Sequence, residues 1–177
     1  MHRLFVAIRP PLPIREQLLD LMGGVAGARW QDDEQLHLTL RFIGEVDGRT
    51  AEDIDLALQS VRQAPFEIAL AGLGAFERRG QPTALWAGLT PHDALRALHK
   101  KIDHALARAG LEPERRAYHP HITLARFGRG GALLEPFLAG AGGLASLPFA
   151  VEDFRLYESR LTPEGAVYNA LSRYLLD

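Results

Sequence analysis

Two short motifs contain side chains that could carry out proton transfer. The sequence reads HLTL from His37 and HITL from His121, so a histidine followed two residues later by a threonine occurs twice. In a β-strand alternate side chains share a face, which would place His37 beside Thr39 and His121 beside Thr123. A single pair of this kind is most often a hydrogen-bonded structural pair. Two copies with the same following leucine favour a joint function.

Two imidazoles on opposite sides of one ligand suit acid–base chemistry. An unperturbed histidine has a pKa of about 6.5, so near neutral pH one ring can accept a proton while the other donates one. Displacement at phosphorus benefits most, because the attacking and leaving oxygens lie in line and each exchanges a proton. The threonine hydroxyls could donate hydrogen bonds to the non-bridging oxygens, where charge accumulates. The motifs therefore predict phosphoryl chemistry that requires no metal.

Two arginines are candidates for binding the phosphate. Arg41 has the same strand parity as His37 and Thr39, so we expect its guanidinium to face the same cleft. Arg126 follows His121 by five residues and has the opposite parity to it. It would face the cleft only if a bulge or the end of the strand redirected it, and a surface position is an equally good interpretation.

The segment HPH, which ends at His121, raises the alternative of a metal site. Two histidines at alternate positions of a strand share a face, as they do in some metal centres. No aspartate or glutamate adjoins either motif, and the first motif has no second histidine, so we expect no metal and no cofactor. Pro120 is better interpreted as marking the start of a strand. Cysteine is absent, which excludes disulfides, thiolate metal sites and cysteine nucleophiles.

The bulk composition is that of a globular protein and restricts the partners. Hydrophobic residues make up 47% of the 177 residues and charged residues 24%, which is enough for a sizeable core. The net charge of −2 gives no broad basic surface for tight binding to duplex nucleic acid. The apolar stretch near the N-terminus, RLFVAI, is too short for a signal peptide or a membrane span. We expect a cytoplasmic protein that does not contact membranes.

Strands and helices alternate along the chain, and their order repeats. Alternating or β-branched apolar runs predict strands, and apolar residues at helical spacing predict helices. The predicted strands are 3–8, 36–44, 66–76, 83–89, 121–126, 149–159 and 166–176, the last two joined by a hairpin turn at 162–165. The predicted helices are 13–27, a segment capped by Thr50 that extends to Val61, 91–109, and a weaker helix at 131–140.

Each half of the chain therefore follows the pattern β-α-β-α-β, with a His-x-Thr motif on its second strand. We predict an α+β fold in a single bilobal domain, residues 1–177, whose repeats cover approximately 1–80 and 81–177. Two lobes, each with an antiparallel-rich sheet, would enclose a central cleft. If an approximate two-fold axis relates them, the two motifs converge on that cleft from opposite walls.

Longer phrases around the motifs indicate a family. HLTLRFIGEV, LWAGL, HPHITLAR and FRLYESRLTPEGAVY, in this order, resemble the 2H phosphoesterase superfamily and within it the RNA 2′,3′-cyclic phosphodiesterase branch, also called 2′-5′ RNA ligase. The resemblance covers essentially the whole chain. It implies a bilobal fold around a cleft and metal-independent opening of 2′,3′-cyclic phosphates at RNA ends, which leaves a 2′-phosphate.

The resemblance also implies roles for individual residues. His37 would donate a proton to the leaving 3′ oxygen, and His121 would accept a proton from the attacking water. Thr39 and Thr123 would hold the phosphate. The residues alone leave donor and acceptor unassigned, because the two motifs are nearly symmetric.

Other functions on the same fold remain open at this point. The chain could be a 2′-5′ RNA ligase, or could act on another cyclic nucleotide such as an ADP-ribose cyclic phosphate. It could also be a non-catalytic module that binds phosphorylated nucleotide ends. RNA ends or cyclic nucleotides are the expected substrates, and the chain is expected to be a monomer with no obligate protein partner.

Overall fold

Nine strands and four helices make up the fold in the computed structural model, which describes all 177 residues. The strands are β1 (His2–Ile8), β2 (Arg29–Trp30), β3 (Leu38–Val46), β4 (Phe66–Arg78), β5 (Gln81–Thr90), β6 (His121–Arg126), β7 (Phe149–Val151), β8 (Asp153–Thr162) and β9 (Gly165–Leu175). The helices are α1 (Leu12–Leu21), α2 (Gly48–Leu58), α3 (Asp93–Arg108) and α4 (Glu135–Ala141), and a 3₁₀ turn covers Asp33–Gln35.

All neighbouring strands are antiparallel, and they form one continuous path. The order is β7-β4-β5-β6-β3-β1-β8-β9, with β2 added to β6. The middle of this path is narrow, because β3 and β6 are joined by one residue pair, Leu38 opposite Ile122. The α+β prediction is confirmed, as is the antiparallel character of the sheet. The two predicted sheets are the two halves of a single sheet that meet at this pair.

The third strand of each sequence repeat pairs with a strand of the other repeat. β4, from the first half of the chain, pairs with β5, whereas β8, from the second half, pairs with β1. One half of the sheet is therefore β7-β4-β5-β6 and the other is β3-β1-β8-β9. A boundary near residue 80 separates the repeats in sequence, but it does not separate the two halves of the sheet. The sequence repeats at 1–80 and 81–177 therefore do not coincide with the two halves of the sheet.

The core lies on the helical side of the sheet. Leu95, Leu98 and Ile102 of α3 are fully buried and belong to the same apolar cluster as Leu38 and Ile122. Their spacing produces the apolar stripe that an amphipathic helix presents to a sheet. The side chains that alternate with Leu38 and Ile122 therefore point to the opposite side of the sheet.

The first two predicted helices have different ends in the structure, for local reasons. The first helix ends at Leu21 and not at residue 27, because Gly23 and Gly24 adopt positive φ. The second begins at Gly48, and its cap is Asp47, whose carboxylate accepts a hydrogen bond from the Thr50 amide at 2.7 Å. The Thr50 cap is thus wrong.

The predicted strand at 149–159 is two strands with different partners. Phe149–Val151 pairs with β4, whereas Asp153–Thr162 pairs with β1 and β9. The chain crosses between the two halves of the sheet at this point. The hairpin turn predicted at 162–165 is confirmed, since Thr162 and Gly165 form the last pair of β8 and β9. None of the helices is long and apolar enough to cross a membrane.

Candidate active site

The register of the β3–β6 pair brings the two motifs together. With Leu38 opposite Ile122 in an antiparallel pair, His37 lies level with Thr123 and Thr39 lies level with His121. All four side chains point away from the helices, because they alternate with that buried pair. The motifs are thus related by an approximate two-fold axis at the centre of the sheet, in the arrangement that the repeat predicts.

A bulge in β3 changes the parity that the sequence suggests. Pairing with β1 shifts register at Leu40, since Thr39 and Arg41 face consecutive residues of β1 and Leu40 has no partner of its own. Beyond the bulge the alternation is reversed. Phe42, which strict alternation would place on the far side of the strand, borders the cleft instead.

Arg41 consequently faces the helical side. The residue is 9% exposed, and its guanidinium donates to the Asp103 carboxylate at 3.0 Å and to the main-chain carbonyls of Phe42 and Glu112. The prediction that Arg41 faces the cleft is wrong, and the bulge at Leu40 is the reason. Its hydrogen bonds to Asp103 and Glu112 hold α3 and the following loop against β3.

An equivalent bulge in β6 turns Arg126 towards the cleft. Pairing with β5 places Thr123 opposite Trp86 and Ala125 opposite Leu85, so that Leu124 is the extra residue. Arg126 then shares a face with Thr123 and borders the cleft. The redirection that sequence analysis left open for Arg126 does occur.

The cleft has a volume of about 840 Å³ and draws on more of the chain than the motifs. His37, Thr39, Thr123 and Arg126 border it, whereas His121 lies outside the bordering set, at the level of Thr39. Residues that sequence analysis did not identify also border it, and most lie in β1, β2 and the β8–β9 hairpin: Arg3, Leu4, Phe5, Arg29, Trp30, Gln31, Gln35, Phe42, Gly44, Ser159, Leu161, Glu164, Gly165, Ala166 and Tyr168. They belong to segments without a chemical motif, so only their position in the fold reveals them.

His37 is held in one orientation by a hydrogen bond and by aromatic rings. Its Nδ1–H donates to the carbonyl of Gln35 at 3.1 Å, because a carbonyl oxygen can only accept. In the neutral ring the lone pair is then on Nε2. The rings of Tyr157, Tyr168 and Phe5 meet the imidazole edge-on at centroid distances of 4.6, 5.3 and 5.9 Å. The side chain is oriented before any substrate binds.

The surroundings of His37 favour its neutral form. Burial, together with the positive charges of Arg9, Arg155 and Arg15, lowers the pKa of the imidazole from 6.5 to about 4. The hydrogen bond to the Gln35 carbonyl opposes these effects. In the absence of a bound anion, His37 is therefore a neutral imidazole at neutral pH.

His121 has a closely similar environment. Its Nδ1–H donates to the carbonyl of His119 at 2.6 Å, and the rings of Phe76 and Trp86 lie at centroid distances of 4.9 and 6.2 Å. Burial lowers the pKa of His121, and the neighbouring His119 and Arg126 act in the same direction. The His119 ring packs edge-on against Trp86 at 4.7 Å, and no cluster of three potential metal ligands includes it.

A curved antiparallel sheet that carries a His-x-Thr pair on each of two symmetry-related strands defines a two-histidine phosphoesterase. The sequence model of the 2′-5′ RNA ligase superfamily matches residues 10–162. The chain therefore belongs to this superfamily, as the resemblance in its sequence implies.

Named relatives and solved structures agree with this assignment. An RNA 2′,3′-cyclic phosphodiesterase of Aeropyrum pernix is 38% identical over 143 residues, which are 79% of this chain and 81% of the relative. One of Archaeoglobus fulgidus is 32% identical over 172 residues, 96% of this chain and 97% of the relative. A crystal structure of Escherichia coli LigT complexed with 3′-AMP superposes with a TM-score of 0.80 at 29% identity and covers 99% of this chain and 98% of that one.

Proposed function

We propose that this protein hydrolyses 2′,3′-cyclic phosphate ends of RNA to 2′-phosphates with two histidines as general acid and general base. The observation that carries the proposal is the register of β3 and β6, which places His37 level with Thr123 and His121 level with Thr39 on one face. The relatives named RNA 2′,3′-cyclic phosphodiesterase support the enzyme class.

The anchoring of both rings determines the proton transfers available to them. Each Nδ1–H is bonded to a carbonyl, so each Nε2 is free to accept a proton when the ring is neutral or to donate one when it is protonated. In the proposed reaction, His121 Nε2 takes a proton from water as its oxygen attacks phosphorus. The bond from phosphorus to O3′ breaks, and His37 Nε2–H protonates O3′. The phosphate stays on O2′.

The negative charge of the substrate provides the protonated partner. The free cleft disfavours imidazolium at both positions, because burial lowers the pKa of both rings. A bound phosphodiester raises those pKa values again, since an adjacent anion stabilises the charged ring. The acid is thus formed when the substrate binds. Thr39 and Thr123 donate to the non-bridging oxygens, and Arg126 adds positive charge on the Thr123 side.

The alternatives are a 2′-5′ RNA ligase and an enzyme for another cyclic nucleotide. Both would use the same two histidines, because ligation makes the same bond changes as hydrolysis, with an RNA 5′-hydroxyl in place of water as the nucleophile: its oxygen attacks phosphorus, and the bond from phosphorus to O3′ breaks. A binding module without turnover would need the threonines and Arg126 but not two oriented imidazoles. The aromatic packing and the carbonyl bonds that orient both rings favour catalysis.

The test is hydrolysis of an oligonucleotide that ends in a 2′,3′-cyclic phosphate, in the presence of EDTA. We expect a 2′-phosphate product. His37→Ala and His121→Ala should each lower the rate at least about a hundredfold, the usual contribution of a general acid or base. His104→Ala is the matched control, because His104 is exposed on α3. Turnover only after a divalent metal is added, or near-full activity of either active-site variant, would contradict the mechanism.

We also propose where the protein acts and in what oligomeric state. An RNA substrate and the absence of cysteine fit a cytoplasmic enzyme, and the cleft is built from one chain, which fits a monomer. Light scattering after size-exclusion chromatography should give the mass of one chain. A stable dimer that dissociates only with loss of activity would contradict this proposal.

A further inference from the structure

We propose that Arg29 and Arg126 form a second phosphate subsite, which binds the phosphate on the 5′ side of the nucleotide whose cyclic phosphate is opened. The inference rests on the proposed function and specifies its substrate. The preferred substrate would carry two phosphates, as an RNA end does, and a lone nucleoside 2′,3′-cyclic phosphate would be a poorer one.

The two arginines are directly opposite each other on neighbouring strands. β2 pairs with β6 in a register that places Arg29 against Arg126 and Trp30 against Ala125. The pairing continues with a hydrogen bond from the Gln31 amide to the Leu124 carbonyl at 2.8 Å. Opposed residues share a face with Cα atoms about 5 Å apart. Both arginines border the cleft, so their side chains flank the same part of it.

This pair of charges is not neutralised within the protein. Opposed like charges destabilise a sheet, yet neither guanidinium has a carboxylate within 4.0 Å. The only acidic residue that borders the cleft is Glu164, in the β8–β9 turn. An anion bound between the two arginines would remove their repulsion.

Two other pairs of arginines in the chain, by contrast, are neutralised by a carboxylate. Arg9 and Arg15 both contact the carboxylate of Asp33. Arg155 and Arg173 both contact that of Asp153. In each of these two pairs a shared carboxylate lies between the arginines. Between Arg29 and Arg126, the position that a carboxylate would occupy faces the open cleft.

The spacing from the catalytic motif fits one nucleotide. Because Leu124 is bulged, Arg126 follows Thr123 by about two extended steps, or roughly 7 Å. The sugar–phosphate backbone of a ribonucleotide spans a comparable distance between successive phosphates. A phosphate held by Thr123 would therefore leave its neighbour within reach of the arginine pair, whose planar guanidinium groups match phosphate oxygens.

The other half of the cleft is bordered by one arginine, Arg3 of β1, but it has no pair of opposed arginines. The residue that corresponds to Arg126 in the first repeat is Phe42, since each follows its histidine by five residues and the same bulge turns both into the cleft. Glu164 in the β8–β9 turn also borders the cleft. A polynucleotide would therefore leave the cleft along β2 and β6.

The experiment compares two substrates that differ by one phosphate. A nucleoside 2′,3′-cyclic phosphate and the same compound with a 5′-phosphate are hydrolysed by the unaltered protein, and kcat/KM is measured for each. We expect at least a tenfold preference for the 5′-phosphorylated compound, falling as salt is raised. Arg29→Gln should reduce the preference to about threefold or less. Arg96→Gln, which removes an exposed arginine of α3, should retain it.

Two other outcomes would overturn the subsite. An equal loss with both substrates in Arg29→Gln, with an unchanged melting temperature, would show that Arg29 acts on the reacting phosphate and would overturn the subsite. Equal kcat/KM for the two substrates in the unaltered protein would overturn it and leave the proposed function intact.

If neither compound is hydrolysed, the oligonucleotide assay decides the proposed function. The subsite is then decided by calorimetry with the matching nucleoside 2′-phosphates, with and without the 5′-phosphate. Tighter binding of the 5′-phosphorylated compound that is lost in Arg29→Gln supports the subsite, and equal binding refutes it.

Discussion

The buried imidazole of His37 should make the protein lose stability in mild acid. Burial and three nearby arginines hold its pKa near 4 in the folded protein, whereas in the unfolded chain it returns to about 6.5. Between these values the unfolded chain binds a proton that the folded protein excludes. The free energy of unfolding must therefore fall as the pH falls from about 6.5 to about 4, and His37→Gln, which cannot titrate, should lose this contribution.

The size of the effect follows from the two pKa values. Each pH unit of difference corresponds to 1.36 kcal/mol, so the fall from 6.5 to about 4 amounts to about 3 kcal/mol when fully developed. At about pH 4.5 most of this penalty is present, about 2.5 kcal/mol. For a domain whose total stability is on the order of 10 kcal/mol, this loss is easily measured.

Urea titrations at pH 7 and about pH 4.5 provide the assay. The drop in unfolding free energy between these pH values should be about 2.5 kcal/mol smaller in His37→Gln than in the unaltered protein. Other titrating groups, His121 included, are present in both proteins and cancel in the comparison. If both proteins lose the same stability between the two pH values, the imidazole of His37 is not held neutral and the reasoning is refuted.

Four further predictions follow from the same structure. Arg41→Ala should destabilise the protein by about 3 kcal/mol in urea titrations, because it leaves Asp103 without its buried partner, and KM should not change; a raised KM would restore Arg41 to the substrate site. Gly74→Ala would place a Cβ within the ring of Trp86, so it should cost roughly 1–3 kcal/mol and also lower kcat; unchanged kcat would separate that ring from catalysis. Asp47→Ala removes the α2 cap and should cost about 1 kcal/mol at unchanged kcat/KM, and a smaller loss would show that the cap is dispensable. Finally, the alkaline limb of the pH profile should lie at higher pH for kcat than for kcat/KM, because bound phosphate raises the imidazole pKa values; coincident limbs would contradict that effect.

The sequence predicted the family and the paired motifs correctly, but it did not predict the direction of every side chain. Alternation predicts that Thr39 accompanies His37, and the structure agrees, because no bulge intervenes between them. The same rule fails at Arg41, one residue beyond the bulge at Leu40. A bulge adds one residue to one strand only, so it depends on the partner strand and leaves no mark in the sequence of the strand itself. Strict alternation would likewise place Phe42 on the far side of the strand, whereas the bulge turns it into the cleft.

The topology shows a second limit of sequence reasoning. The repeated order of strands and helices was correct and predicted the two-fold relation of the motifs. It did not reveal that β4 and β8 exchange places between the two halves of the sheet, because strand pairing is decided by contacts between distant residues. Arg29 was overlooked for a similar reason, since a two-residue strand has no periodicity to detect.

The exchange of strands also affects how the protein is made. β1 is synthesised first, but its partner β8 begins only at Asp153, and β9 follows at Gly165. The N-terminal strand therefore emerges from the ribosome with one edge unpaired and stays so until the last part of the chain appears, when it becomes a long-range and slow contact. A nascent chain that stops before Asp153 already contains both histidines of the proposed mechanism and both arginines of the proposed second subsite. It cannot form the cleft, because the β8–β9 hairpin that borders it has not yet been made.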